Sequence, residues 1–174
     1  MAVITSNIQV ASDVMRMTCT GNGVLPKPGQ FYMVRAWDLD PLLSRPISVH
    51  DADEGEVTFL YRIVGKGTAI LSQKKIGDEI TIEGPFGNGF PEIETDLVVV
   101  GGGIGIAPLY YVCKNFKEKN PDKNLKVYLG FSNEAYCVED FEAVADELIL
   151  DVGGIITERV IAGENETLFA CGPR

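Results

Sequence analysis

Apolar and polar positions change rhythm near residue 94. Before it lie short, β-rich, partly alternating runs at 2–11, 14–20, 30–37, 45–51, 56–64 and 79–85. Turn chemistry bounds them: Thr20-Gly21-Asn22-Gly23, Lys27-Pro28-Gly29, Asp53-Glu54-Gly55 and Ile76-Gly77-Asp78. Six strands at that spacing predict a small antiparallel β-barrel. One helix is predicted to interrupt it over 67–77, with Ile70, Leu71 and Ile76 on one face and Gly77 closing it. After residue 94 the run Leu97–Val100 is continuously apolar, as in a strand covered on both faces. Helical spacing follows at Leu109, Val112, Cys113 and Phe116 and stops at Asn120-Pro121. A second strand is read over 126–132, a second helix from Phe141, Val144 and Leu148, and a last strand in "ETLFACGPR". Strand, helix, strand, helix, strand predicts a parallel sheet wound with helices. The expected domains are a barrel over 1–94 and an α/β domain over 95–174.

Composition narrows the function classes. Fifteen basic against twenty-five acidic residues leave a net charge of −10, which argues against a nucleic-acid partner. No apolar run is long enough to predict a membrane span, and the start "MAVITSNIQV" does not follow a signal-peptide pattern, so the expected location is cytoplasmic. The four cysteines, Cys19, Cys113, Cys137 and Cys171, are 94, 24 and 34 residues apart and read as buried free thiols. With His50 the single histidine, neither a metal site nor a histidine-based nucleophile is predicted.

Three segments suit anionic ligands. In "LLSRPISVHD", Pro46 holds an extended backbone from which Arg45 can reach a phosphate and Ser48 can offer a hydroxyl. On spacing alone, an edge strand with a surface arginine is the simpler reading. In "LYRIVGKGT", Gly65 and Gly67 leave backbone N–H groups open to an anion, with Thr68 at a helix start and Arg62 on a neighbouring strand. Taken alone, a strand followed by a loop and a capped helix is the simpler reading. The third segment, "LVVVGGGIGIAPLYYV", looks like a strand feeding a nucleotide loop, yet G-x-G-x-x-G fails. From Gly101 the sixth position is Ile106, and from Gly103 it is Pro108.

Together these segments carry a resemblance. "RPIS", "LYR", "GKGT", "GPFGNGF", "GGGIGIAPL" and "ACGP" follow one another as in ferredoxin reductase-like flavoproteins, over nearly the whole chain. The chain most closely resembles the electron-transfer subunits of dihydroorotate dehydrogenase, because Pro46-Ile47 stands where the reductases typically carry Arg-x-Tyr-Ser. The resemblance implies FAD on the barrel, held by Arg45, Pro46, Ile47 and Ser48, by Leu60, Tyr61 and Arg62, and by Gly67 and Thr68. It implies NAD(H) at Gly101, Gly102, Gly103, Ile104 and Gly105, with Cys171, Gly172 and Pro173 on the nicotinamide side. Such a subunit exchanges electrons between NAD(H), FAD and an FMN-bearing catalytic subunit in pyrimidine biosynthesis, with no acid–base residue required. The alternatives are a diaphorase-like subunit for another acceptor and a non-catalytic flavin-binding module. The family also implies a two-iron, two-sulfur cluster, for which this sequence lacks closely spaced cysteines. Its nucleotide half looks shortened between Leu148 and Thr157.

Overall fold

The structure, a computed structural model, describes residues 1–173; Arg174, the last residue of the expected nucleotide half, lies outside them. The described chain divides into two compact units, Met1–Gly89 and the residues from Phe90 onward.

The first unit is a closed six-stranded barrel of β1 (Ala2–Ala11), β2 (Val14–Thr20), β3 (Phe31–Arg35), β4 (Arg45–Asp53), β5 (Glu56–Arg62) and β6 (Glu79–Phe86). The strands run in the order β1-β2-β5-β4-β3-β6. Alternation produces the core: Tyr32 and Val34 of β3 are buried while Phe31, Met33 and Arg35 are half-exposed. Tyr32 meets Phe59 edge-on, with centroids 5.8 Å apart, and Ile4, Val14 and Met17 are likewise fully buried. Closure leaves the ladder few free edges to aggregate.

The barrel helix is shorter than its pattern. It spans Lys66–Ser72 (α1), and Ile76, expected on its buried face, is 73% exposed beyond its end. The cause comes from β1. Asn7 Nδ2 donates to the carbonyls of Leu71 and Lys74 (3.0 and 2.9 Å), satisfying the last turn and stopping the helix there. Gly77, at φ +91°, then returns the chain to β1 through Gly77 N–H to Ile4 O at 2.8 Å.

The second unit holds a parallel four-stranded sheet in the order β10-β7-β8-β9: β7 (Asp96–Gly102), β8 (Leu125–Phe131), β9 (Glu147–Val152) and β10 (Glu166–Cys171). Helix α2 (Leu109–Lys119) buries Leu109, Tyr111, Val112, Cys113 and Phe116. The expected second helix is largely corrected. Helix α3 covers only Val138–Glu142, and Leu148 lies on β9, paired with Val127. "ELILDV" is apolar without helical period, and its start is pinned. The Asp146 carboxylate accepts from Leu125 N–H (2.7 Å) and Lys117 Nζ (2.9 Å).

That pin predicts a pH dependence. Burial raises the Asp146 carboxyl, but the Lys117 contact and the Leu125 amide outweigh it and hold the group below its ordinary 3.8. A depressed carboxylate stabilises the fold above the unfolded value, and the contribution is lost as pH falls through the folded one. Wild type is therefore expected to melt above Asp146→Asn at pH 6, with the gap closing below pH 3.8. Equal melting temperatures at pH 6 would remove the pin from the account.

The stretch expected to be shortened has a definite shape. Thirteen residues separate Val152 from Glu166, enough to cross from one sheet edge to the other without a full helix. They form a strap over one sheet face, with a single 3₁₀ turn at Ile156–Arg159. Ile156 packs with Val98, Val100 and Tyr128, and the Tyr128 hydroxyl accepts from Ile161 N–H (3.1 Å). Arg159 pairs with Asp151 at 2.8 Å. No helix among the described residues is long and apolar enough to cross a membrane.

Candidate functional site

In the barrel, the segments around Arg45 and Gly67 come together although 22 residues separate them in sequence. Arg45 opens β4, paired with Val34 of β3. Its guanidinium lies 5.5 Å from the Trp37 ring centroid and donates to the carbonyls of Leu43 and Ser44. A Cβ added at Gly67 would stand 2.8 Å from a Trp37 ring carbon and 3.0 Å from Arg45 Nε. Glycine at 67 thus lets a helix start approach an arginine stacked on an indole, a cationic, partly aromatic surface. Trp37 was absent from the sequence-derived set. Its signal was being the single tryptophan, placed just past a strand.

The other barrel residues are disposed unequally. Pro46 is exposed and Ser48 half-exposed, on the face opposite the buried Ile47. Leu60 is core. Burial pushes the Tyr61 hydroxyl above its usual range, partly offset by its hydrogen bond to Asn7 Oδ1 at 3.3 Å. Arg62 is held by Asp13 at 2.8 Å. The Thr68 hydroxyl turns inward, accepting from Val64 and Gly65 N–H (3.0 and 3.2 Å) and donating to Gly65 O (3.0 Å). It shapes the Gly65 turn. The structure therefore brings Arg45 and Gly67 together, while Ile47, Leu60, Tyr61 and Thr68 are engaged inside the barrel.

In the second unit, the glycine loop and the Cys171 segment also meet. Gly101 and Gly102 end β7, and Gly103–Ile106 form a 3₁₀ turn that leads through Pro108 into α2. Cys171 pairs with Gly101 at the end of β10. A Cβ at Gly105 would fall 2.3 Å from the Cys171 carbonyl oxygen, and one at Gly172 would fall 3.0 Å from Gly102 Cα. The glycines make backbone-on-backbone contact possible. Gly103, at φ +51°, has nothing within 4 Å of its missing side chain, and Ile104 beside it is half-buried. β7 leads on to β8 and β9 on one side, and the chain then returns to β10 on the other. That reversal at the carboxyl ends of parallel strands is where α/β sheets bind ligands. Gly130 of β8 lies opposite Gly102, and a Cβ there would be 2.6 Å from Ile156, so the strap reaches the same end of the sheet. Nothing in the glycine spacing marked that contact.

The thiols are poor chemical candidates. Cys19, Cys113 and Cys137 are buried and Cys171 half-buried, and none of them forms a disulfide. Burial, with Glu56 nearby, pushes Cys19 up to about 12, and burial alone raises Cys113 and Cys171. Thiols held protonated are weak nucleophiles and weak metal ligands.

No protein-family model matches the sequence. Known proteins do. The electron transfer subunit of dihydroorotate dehydrogenase B (NAD(+)) from Clostridium acetobutylicum is 42% identical over 98% of this chain and 71% of its own length. Its counterpart from Caldanaerobacter subterraneus subsp. tengcongensis is 40% identical over 99% of this chain and 72% of its own. Among solved structures, an NADH-dependent reduced ferredoxin-NADP oxidoreductase superposes with a TM-score of 0.83 at 30% identity, covering 99% of this chain and 68% of that one. Identity at this level over nearly all of the chain, on the same two-part architecture, places it in a family: the chain belongs to the electron transfer subunits of dihydroorotate dehydrogenase B.

Proposed function

We propose that the chain carries FAD on its barrel, residues 1–94, and NAD(H) on residues 95–174, and works as the electron-transfer part of a dihydroorotate-oxidising assembly. One observation carries most of the reading. Gly102 and Gly105 are packed on Cys171 and Gly172 at the sheet's reversal point, leaving an open, side-chain-free floor at Gly103. A dinucleotide's diphosphate needs such a backbone approach. The barrel fits the flavin in kind: Gly67 supplies a cradle that any Cβ would fill, with the Arg45 fork beside it to offset a diphosphate. Pro46 and Ser48 present the outer face of the same strand. Arg62, held by Asp13, and Thr68, turned inward, shape the surroundings.

When bound, the flavin supplies the exchange between hydride and single-electron transfer. This chain's residues bind and orient. Arg45 holds charge, the glycines let backbone approach ligand, and no side chain needs to move a proton. The family's two-iron, two-sulfur cluster does not fit the cysteines here, which are far apart in sequence and mostly buried, and no step is assigned to it. The partner in this reading is the FMN-bearing catalytic subunit.

The test is direct. Purified chain is expected to hold FAD. Mixed with the catalytic subunit and dihydroorotate, it is expected to reduce NAD+ only when both proteins are present. A colourless protein that takes up no flavin on titration would end this reading. A yellow protein bleached by NADH but inert with dihydroorotate and the catalytic subunit would instead favour a diaphorase serving another acceptor.

A further inference from the structure

The strap between β9 and β10, residues 153–165, carries an ion pair that the proposed function leaves unused. Arg159 is the single cationic residue between Val127 and Pro173. Asp151, the last residue but one of β9, holds it through Nε at 2.8 Å. The carboxylate is fixed from its other side, because Oδ1 accepts from Gly154 N–H at 2.9 Å. A Cβ at Gly154 would collide with that oxygen, so glycine there admits the contact. The two side chains differ in exposure, 10% for Asp151 and 57% for Arg159. A fully exposed pair would mean little. Here the carboxylate is sunk, and the guanidinium, bound through Nε, keeps its terminal nitrogens for another acceptor.

The pair stands at the carboxyl end of the sheet. Gly102 pairs with Gly130 and Gly130 with Asp151, one row across β7, β8 and β9. Asp151 is thus two strand spacings, about 10 Å, from the end of the glycine strand. The inference rests on the proposed function, with the nicotinamide on the Cys171 side and the diphosphate at Gly103. A dinucleotide so placed extends its other half the opposite way, across β8 towards β9. The group arriving there is the adenosine ribose. We propose that Arg159 contacts that ribose at its 2′ position, and that Asp151, by holding Arg159, makes the site take a hydroxyl and refuse a phosphate. The guanidinium can donate to a neutral hydroxyl while it stays paired. A 2′-phosphate has to compete with Asp151 for the same cation and meets its negative charge. Asp151 is a positioning residue acting through Arg159, and the ligand selected is NAD(H) over NADP(H).

Titration calorimetry on the full chain measures the dissociation constants of NAD+ and NADP+ for wild type, Asp151→Asn and Arg159→Gln. Wild type is expected to bind NAD+ the more tightly. Asp151→Asn releases the guanidinium, so the preference for NAD+ should shrink roughly tenfold or more, the worth of one charge-assisted hydrogen bond. Arg159→Gln leaves the carboxylate bare, so the preference should widen roughly threefold. Both variants break the same ion pair. A pair that only clasped the strap would shift the preference the same way in both, or in neither. The double variant Asp151→Asn/Arg159→Gln should lose the gain in NADP+ binding. If Asp151→Asn does not fold, Arg159→Gln decides alone, since it removes an exposed side chain. An unmoved preference, shifts of the same sign, or a wild type that binds NADP+ as tightly as NAD+ overturns the inference and leaves the dinucleotide reading standing. A wild type that binds neither removes the dinucleotide reading itself, and the role of Arg159 with it.

Discussion

Gly105→Ala is expected to be among the most damaging single-methyl changes in the second unit. The added Cβ would sit 2.3 Å from the Cys171 carbonyl oxygen, 2.5 Å from its carbon and 2.6 Å from Gly172 Cα. These are backbone atoms and cannot rotate away. Either the Gly103–Ile106 turn lifts, or β10, an edge strand paired only with β7, peels back. Overpacking of this kind costs about 1–3 kcal/mol, a fall of roughly 2–12 °C in melting temperature for a chain of this size. Gly102→Ala supplies the contrast within the same loop. Its Cβ would meet Pro173 and Gly172 at 3.5 and 3.6 Å, ordinary contact, at φ −118°. It should leave the melting temperature nearly unchanged. NADH-driven flavin reduction should fall on the order of a hundredfold in Gly105→Ala, since small misplacement of reacting groups is that costly. Equal melting temperatures in the two variants, or unimpaired reduction in Gly105→Ala, would show that the contact does not set this site.

How much of this was legible beforehand depends on the range of the interactions. The barrel was readable because each strand alternates and ends at its own turn, as at Asp53-Glu54-Gly55, and closure follows from six such strands. The glycine loop was readable because glycines in sequence report a need for backbone approach. What they approach is 66 residues away at Cys171, and only the resemblance connected the two. The failures share one cause: a distant partner decided a local ambiguity. Asn7 ends α1 before Ile76, and Asp146 fixes the start of β9, turning Leu148 from an expected helical position into a strand residue. Leu60 and Tyr61 illustrate the same limit at the site. "LYR" marks the strand, but whether a residue faces the core or a ligand depends on a register the motif does not state. The strap is a further case, since "GGIITERV" shows no period, and Ile156 finds its seat only because Gly130 leaves one.

Arg45 is expected to dominate FAD affinity on the barrel, and Arg62 is not. Both guanidiniums suit a diphosphate by type, but their surroundings separate them. Arg62 is held by Asp13 at 2.8 Å, with both side chains nearly half exposed, so its charge is already met. Among the described residues, Arg45 contacts no carboxylate. It stacks at 5.5 Å on Trp37 and lies against Gly67, its polar contacts being carbonyls. Removing a hydrogen bond to a charged group costs about 1.5–3 kcal/mol, so Arg45→Ala should raise the FAD dissociation constant roughly 10- to 150-fold. Arg45→Lys should recover only part, because an ammonium keeps the charge but neither the planar fork nor the stacking. Arg62→Ala should stay within about threefold, the range of an exposed, already paired charge. The single tryptophan makes the measurement simple: FAD bound beside Trp37 is expected to quench its emission, and titration reads affinity in each variant. An Arg62→Ala loss equal to that of Arg45→Ala would place the diphosphate elsewhere on the barrel. Unchanged affinity in Arg45→Ala would remove the Trp37–Arg45–Gly67 surface from the flavin site altogether.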